Sequence, residues 1–466
     1  MDHNIDFEDL KPPQVEQIEK MFRDGEMSYF DVDDFEEILD YYMTAGSFKK
    51  AKTVAEFAII VHPSSITLKI LTAKVLALNN EEKNALSILR EVEGIDSEDQ
   101  DLFLTKGAIY SQLKHYEKAI EEYNKALPES ESPDYIYCNI AFEYENMGDY
   151  KKTIEYLHKA LELNPNNNIA MHEAAYCFDL LSLTDESIQF FQQHIDRHPY
   201  SEEAWFNLGS SYINASLYEK AIEAFDYCLA IDEGYSMAYL HKAVAYSFLH
   251  DYASAIECYR KSFDEEEDSP MTLYYIGECY EKMEQYENAI HYYRKTLKHD
   301  QEIIDAWIGI GVCELECGNI KIAIQSMQKG LALDPENTTY LCLIADAYLN
   351  ASDKKNCAKY FEKAILFDNI DEDTWIDYIE AMIAFNDIDA ALDVSKRSID
   401  AIPDSNILYY QAAICLYLKG NNKEADFFLE EALQNDPEFQ NKKILKNYPE
   451  LNSNKSFLSL IEFYEK

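Results

Sequence analysis

Basic residues are the scarcest charged groups in this chain. Its 466 residues hold 41 Lys and Arg against 87 Asp and Glu, a formal net charge of −46. Phosphate backbones are gripped by Lys and Arg that replace counterions, so nucleic-acid binding is not expected. An anionic membrane surface would be repelled for the same reason. Glycine and proline are also few, at 13 and 12, which leaves little to interrupt long helical segments. No stretch approaches the roughly 18 uninterrupted apolar residues of a membrane helix, so no insertion is expected. The start, MDHNIDFEDLKPP, has neither a basic opening nor an apolar run, and no secretory signal is expected. The ten cysteines are scattered singly apart from Cys313 and Cys317. They form no disulfide framework, and a reducing cytoplasmic setting is the expectation.

What is abundant is tyrosine, 36 in all, and text that repeats. YEKAIEEYNKAL begins at Tyr116, YKKTIEYLHKALELNPNN at Tyr150 and YEKAIEAFDYCLAID at Tyr218. The first two starts are 34 residues apart and the last two are 68 apart, twice that period. Stepping a frame of 34 in both directions gives twelve repeats over residues 32–439 without insertion or deletion. They start at Val32, Ile66, Gln100, Asp134, Asn168, Glu202, Ser236, Pro270, Ile304, Thr338, Glu372 and Asn406.

Positions within the repeat have distinct characters. Position 8 is small in most repeats, as at Ala73, Gly107, Gly209, Gly277 and Gly311. Position 20 is small throughout, as at Ala51, Ala221 and Ala323. Small side chains allow two helices to cross closely. All three tryptophans, Trp205, Trp307 and Trp375, stand at position 4. Gly46, Gly148, Gly318 and Gly420 mark a turn after the first half of a repeat, where a left-handed residue can close a helix. Pro63, Pro165, Pro199, Pro335, Pro403 and Pro437 stand at position 32, where proline ends a second helix. Each repeat therefore reads as helix, tight turn, helix, turn. Two repeats depart from the pattern: Leu39 and Ile379 replace the small residue of position 8, and Ser395 stands where a large apolar group is usual.

The period and its small and aromatic positions resemble the tetratricopeptide repeat (TPR) family. The resemblance implies an all-α, right-handed superhelical solenoid of helix-turn-helix repeats. Its ends need covers, since terminal faces would otherwise expose core. Residues 1–31 supply a candidate N-terminal cap, with Val15, Ile18 and Phe22 on one face of a helix opened by Pro12 and Pro13. Residues 440–466 supply a candidate C-terminal capping helix, apolar in FLSLIEFYEK from Phe457.

No phosphate-binding glycine loop, HExxH or GxSxG occurs, and no cofactor, metal or catalytic residue is expected; the chain reads as no enzyme. His194 and His198 are spaced i, i+4, as a metal pair can be, but no third ligand is evident nearby, so a surface pair is expected. DEEED at 264–268 lacks the spaced ligands and central glycine of a calcium loop. Cys177, Cys279, Cys313 and Cys415 share position 10 and read as small core hydrophobes.

In the first helix of a repeat, positions 4, 7, 8 and 11 face the core, which leaves positions 2, 5, 6, 9, 12 and 13 on the opposite face. The family resemblance implies that this face lines a concave peptide channel. The candidate groove residues are Tyr135, Asn139, Phe142, His172, Glu173, Tyr176, Phe206, Asn207, Ser210, His241, Tyr274, Tyr275 and Glu278. Aromatics would supply apolar contact, and Asn139 and Asn207, both at position 6, could pair with a peptide backbone. Across all repeats these six positions hold seventeen acids and two lysines, Lys74 and Lys282. The expected role is a scaffold or adaptor for a basic and apolar protein segment. The alternative is a co-chaperone-like or regulatory subunit of a larger enzyme or secretion assembly. The chaperone-tail clamps of the family grip acidic tails with Lys and Arg at positions 2, 5 and 6, and this chain has none there. The partner and the oligomeric state are not encoded in any motif.

Overall fold

A computed structural model describes residues 11–25, 27–95, 99–128, 130–263, 269–435 and 448–464. The DEEED segment, the end of the twelfth repeat and the start of the C-terminal cap lie outside them. Among the described residues there are 26 α-helices, one short 3-10 turn at Pro449–Ser453, and no strand. The chain forms two compact halves, Met1–Tyr235 and Ser236–Lys466.

Helix starts follow the 34-residue frame closely. The first helices of successive repeats begin at Val32, Ile66, Gln100, Pro133, Asn168, Glu202, Ser236, Pro270, Ile304, Thr338, Glu372 and Asn406. The fourth starts one residue early because Pro133 occupies its first turn, where a missing N–H costs nothing. The second helices begin at Phe48, Glu82, Tyr116, Tyr150, Thr184, Tyr218, Tyr252, Tyr286, Ile320, Lys354, Ile388 and Asn422, position 17 every time.

Local chemistry sets these starts. Ser65, Asp99, Asn167, Ser201, Asn337, Asp371 and Ser405 each stand one residue before a first helix and accept the backbone N–H three residues on. Asp149, Asp251, Asp353 and Asp387 do the same for second helices. The tight turn within a repeat is left-handed at position 15 in all twelve. Four of these residues are glycine, with φ between 65° and 81°. The other eight are Asn80, Lys114, Ser182, Ser216, His250, Glu284, Ser352 and Asn386, with φ between 53° and 61°. Glycine was the signal visible in sequence, yet two thirds of the turns adopt the same conformation without it.

The two helices of a repeat meet where position 8 faces position 24. A Cβ on Gly107 would lie 2.4 Å from the Tyr123 ring, on Gly209 2.5 Å from Phe225, on Gly277 2.7 Å from Tyr293, and on Gly311 2.3 Å from Met327. The large residue of position 24 thus fills the hollow left by the small one. It is buried in every repeat, from Ala55 and Leu89 to Phe361 and Leu429. Tyr293 is gripped from both sides, since a Cβ on Gly309 of the next repeat would come within 2.5 Å of the same ring.

The two irregular repeats keep this fit by exchanging sizes. Leu39 at position 8 is matched by Ala55 at position 24, and Ile379 by Ser395, all four at most 1 % exposed. The Ser395 hydroxyl is satisfied by the Leu392 carbonyl at 3.0 Å. Further ties lock helices together. The indole N–H of Trp205, Trp307 and Trp375 donates to the carbonyl six residues earlier, at 2.9, 3.1 and 2.9 Å. Tyr144 stacks on Tyr156, Tyr280 on Tyr292 and Tyr348 on Tyr360, joining positions 11 and 23. Lys106 puts a charge at position 7, a core position that the pattern reserves for apolar groups: it is 5 % exposed, held by Glu93 at 2.6 Å with Glu122 at 3.9 Å.

Both ends carry an extra helix. Pro13–Asp24 buries Val15, Ile18 and Met21. Phe22, expected on that face, is 45 % exposed and instead touches Phe57 edge-on. Lys455–Tyr464 buries Phe457 and Ile461, with Phe457 edge-on to Tyr417.

Two predictions test this packing. Ile379→Ala should cost about 2–5 kcal/mol, and Ser395→Leu alone should cost about 1–3 kcal/mol through overpacking. Combined, they should cost clearly less than their sum, because the usual small-large order is restored; a denaturant double-mutant cycle reads this coupling. Glu284→Gly should stabilise by about 0.5–1 kcal/mol, since a left-handed conformation strains a side chain but not glycine. Thermal melts of the two chains check it.

Candidate functional site

The first helices of the second, third and fourth repeats, Ile66–Leu78, Gln100–Gln112 and Pro133–Asn146, enclose a cleft of about 610 Å³. Its lining runs through positions 2, 5, 6, 9, 12 and 13 of these helices, the face expected from the helical period, and includes Tyr135, Asn139 and Phe142. The cleft lies wholly within the first compact half. Tyr135 is 59 % exposed, Phe142 55 % and, one repeat further on, Tyr176 52 %. Such exposure of large rings on a helix face needs a reason other than packing.

Not all expected groove residues are open. Phe206 and Asn207 are buried, and the expectation that they face a ligand is corrected. The Asn207 amide donates to the Glu203 carbonyl of its own helix at 2.9 Å, so it is not available to a peptide backbone through that group. Phe206 lies against Phe225 and Tyr235, with ring centroids 5.9 and 5.2 Å away. Tyr274 packs on Tyr293 of its own repeat, and Tyr275 stacks on Tyr259 of the preceding one. The cause is the residue at position 24: position 5 closes over it within a repeat, and position 6 closes over it from the next. A helical period alone cannot see this second layer.

The polar members are partly engaged as well. His172 Nε2 lies 3.2 Å from Glu203 Oε2, which also accepts the Tyr235 hydroxyl at 2.8 Å. Glu173 hydrogen-bonds the Glu145 carboxyl, and burial together with the Glu173 charge pushes Glu145 up to about 7. Burial pushes Glu278 up and His241 down, and both are half-buried, as is Ser210. Positions 2 and 13 are mostly open, as is position 9 in the first five repeats. They also expose Ile169 and Leu180 in the first half, and Met237, Phe248 and Met271 in the second, between 43 and 75 %. These were missed because isolated apolar residues on a helix read as ordinary surface.

His194 and His198 lie with ring centroids 5.0 Å apart, half-buried rather than on the surface. His158 of the preceding repeat joins them around a cleft of about 350 Å³. Burial holds His194 down to about 4, with His198 adding to the shift. Among the described residues, no group of three or more His, Cys, Asp or Glu side chains is placed to hold a metal ion. All ten cysteines are free thiols. Burial pushes Cys177, Cys228, Cys357 and Cys415 up to about 12, far from a reactive thiolate. Cys313 is buried and Cys317 exposed, so their spacing does not make a pair of like character. No helix among the described residues is long and apolar enough to cross a membrane.

In the second half, Asp346 at position 9 is pushed up to about 6 by burial and by the nearby Asp377. Its folded value exceeds the unfolded one near 3.9. The folded state therefore binds the extra proton, and stability gains as pH falls from neutrality through about 6. Asp346→Asn should raise the melting temperature at pH 7.5, and the gain should shrink as the pH is lowered toward 4.5, as melts across that range will show.

Comparison with protein families matches tetratricopeptide repeat models at residues 101–127, 135–167, 202–235, 238–269, 270–302, 304–337, 338–371 and 408–439, together more than half of the chain. Comparison with curated proteins gives no match. Among solved structures, the Cut9–Hcn1 hetero-tetramer of the APC/C is 14 % identical with a TM-score of 0.40, over 83 % of this chain and 90 % of that one. The C-terminal part of a TPR repeat-containing protein from Cytophaga hutchinsonii is 20 % identical with a TM-score of 0.44, over 52 % of this chain and 99 % of that one. YrrB, described as a TPR protein with an unusual peptide-binding site, is 17 % identical with a TM-score of 0.36, over 41 and 97 %. With its helix pairs in register and its repeats matched from residue 101 to residue 439, the chain belongs to the tetratricopeptide repeat family.

Proposed function

We propose that the chain is a protein-interaction scaffold that holds a basic and apolar segment of a partner on the faces of its first helices. The observation that carries this reading is the exposure of Tyr135, Phe142 and Tyr176 on positions 2 and 9, each more than half open to solvent. Rings so placed add no stability to the fold and offer apolar contact to a ligand. In the scaffold reading, residues 32–439 act as one twelve-repeat module flanked by the caps of 1–31 and 440–466, in the cytoplasm and without catalysis. The excess of acids over lysines on the six helix-face positions selects a basic partner, and the charge of −46 draws it in from a distance.

Replacing Tyr135, Phe142 and Tyr176 together by Ala should weaken binding of a purified partner by at least about tenfold while leaving circular dichroism unchanged. Unchanged affinity would remove this face as the binding site. Association with a basic segment should slow steeply between low salt and about 0.15 M, where charges are screened within about 8 Å, while dissociation changes little. A partner segment that proves acidic would overturn the electrostatic part and leave the scaffold.

A further inference from the structure

Position 10 of the repeat is a core position. It carries Val75, Ile109, Cys177, Ser211, Ala245, Cys279, Cys313, Ala347, Ala381 and Cys415, all buried, and Tyr41 in the first repeat, half-buried. The fourth repeat alone places a charge there. Glu143 is 1 % exposed and lines the cleft of the second to fourth repeats. Its carboxyl is bonded to the Ser111 side chain, yet Oε2 is buried with no partner. A buried carboxylate with half its acceptors unfilled is costly, and every other repeat avoids the cost with a small or apolar residue.

Around that oxygen the cleft has two characters. Ile70, Leu104, Ala108 and Ile109 make an apolar lining, which the exposed rings of Tyr135 and Phe142 extend. Asp99 and Asp101 add acidic side chains, against a single basic one, Lys74. Resting on the scaffold reading, we propose that this cleft takes a partner segment presenting one lysine between apolar side chains, with the ammonium anchored on Glu143 Oε2.

The chemistry favours lysine over its alternatives. A four-carbon stem suits the apolar part of the lining while its ammonium seeks the buried carboxyl. Arginine binds a carboxylate best through both oxygens, and Ser111 already engages this carboxyl. A neutral apolar side chain would leave the orphan oxygen as it is. Aromatic rings such as Tyr135 and Phe142 in the same lining also suit a cationic ligand.

The test uses the full chain and a library of displayed ten-residue random peptides, selected at low salt and neutral pH. Enriched peptides should share one lysine flanked by apolar residues. For a synthetic peptide of that kind, exchanging the lysine for norleucine should weaken binding at least about tenfold, and exchanging it for arginine by less. Glu143→Gln, which keeps the shape and the Ser111 contact, should cost as much as norleucine, and the two changes together little more than either alone. Burial pushes the Glu143 carboxyl up. A cation bound beside it should therefore expel a proton at mildly acid pH, measured by calorimetry of the wild-type chain in two buffers. Enriched peptides without a basic residue, equal binding to Glu143→Gln, or no proton release would each overturn the lysine anchor. If binding still falls on Phe142→Ala, the groove reading survives that failure; if neither variant matters, or no peptide is enriched, both fall.

Discussion

One contact recurs through the molecule: a large side chain at position 24 seated in the hollow of a small one at position 8. Four glycines stand so close to the facing side chain that even a methyl group would overlap it. This contact fixes how near the two helices of a repeat approach. Through residues such as Gly309 against Tyr293, it also fixes how the next repeat sits down. Its requirement is complementary volume rather than a particular residue, which is why Leu39 with Ala55 and Ile379 with Ser395 satisfy it in reverse.

The turns show the same economy of requirement. Every repeat needs a left-handed residue at position 15, and eight repeats supply it with a residue other than glycine. Strain of about 1 kcal/mol at each is tolerable because helices on both sides, capped by Asp, Asn or Ser, hold the turn. Stability is thus spread along the stack in small terms, as expected of a repeat array whose units contact only neighbours.

The interlock also decides what remains for function. Position 5 closes over the seated side chain within a repeat and position 6 closes over it from the next, so Phe206, Tyr274 and Tyr275 are drawn into packing. Positions 2 and 13, and position 9 of the first five repeats, are mostly left at the surface, and there Tyr135, Phe142, Tyr176 and Phe248 are exposed. The open residues and the packed ones are neighbouring strips of one helix surface. A strongly acidic surface keeps those rings from sticking to like-charged copies of the chain.

The sequence alone determined the period, the start of nearly every helix and the identity of the interlocking positions. Those depend on local propensity, capping and the spacing of apolar residues, all of which act within a few residues of chain. It also marked one helix face on which Tyr135, Asn139 and Phe142 do line a single cleft. Only the tertiary structure decided which residues of that face are free. Asn207 bonds its own helix, His172 approaches a glutamate of the next repeat, and Glu143, which looks like one acid among 87, is buried in the lining of a cleft with an unpartnered oxygen. The physical reason is that burial at these positions depends on neighbouring repeats, through contacts such as Tyr275 with Tyr259 and His172 with Glu203 that no local pattern records.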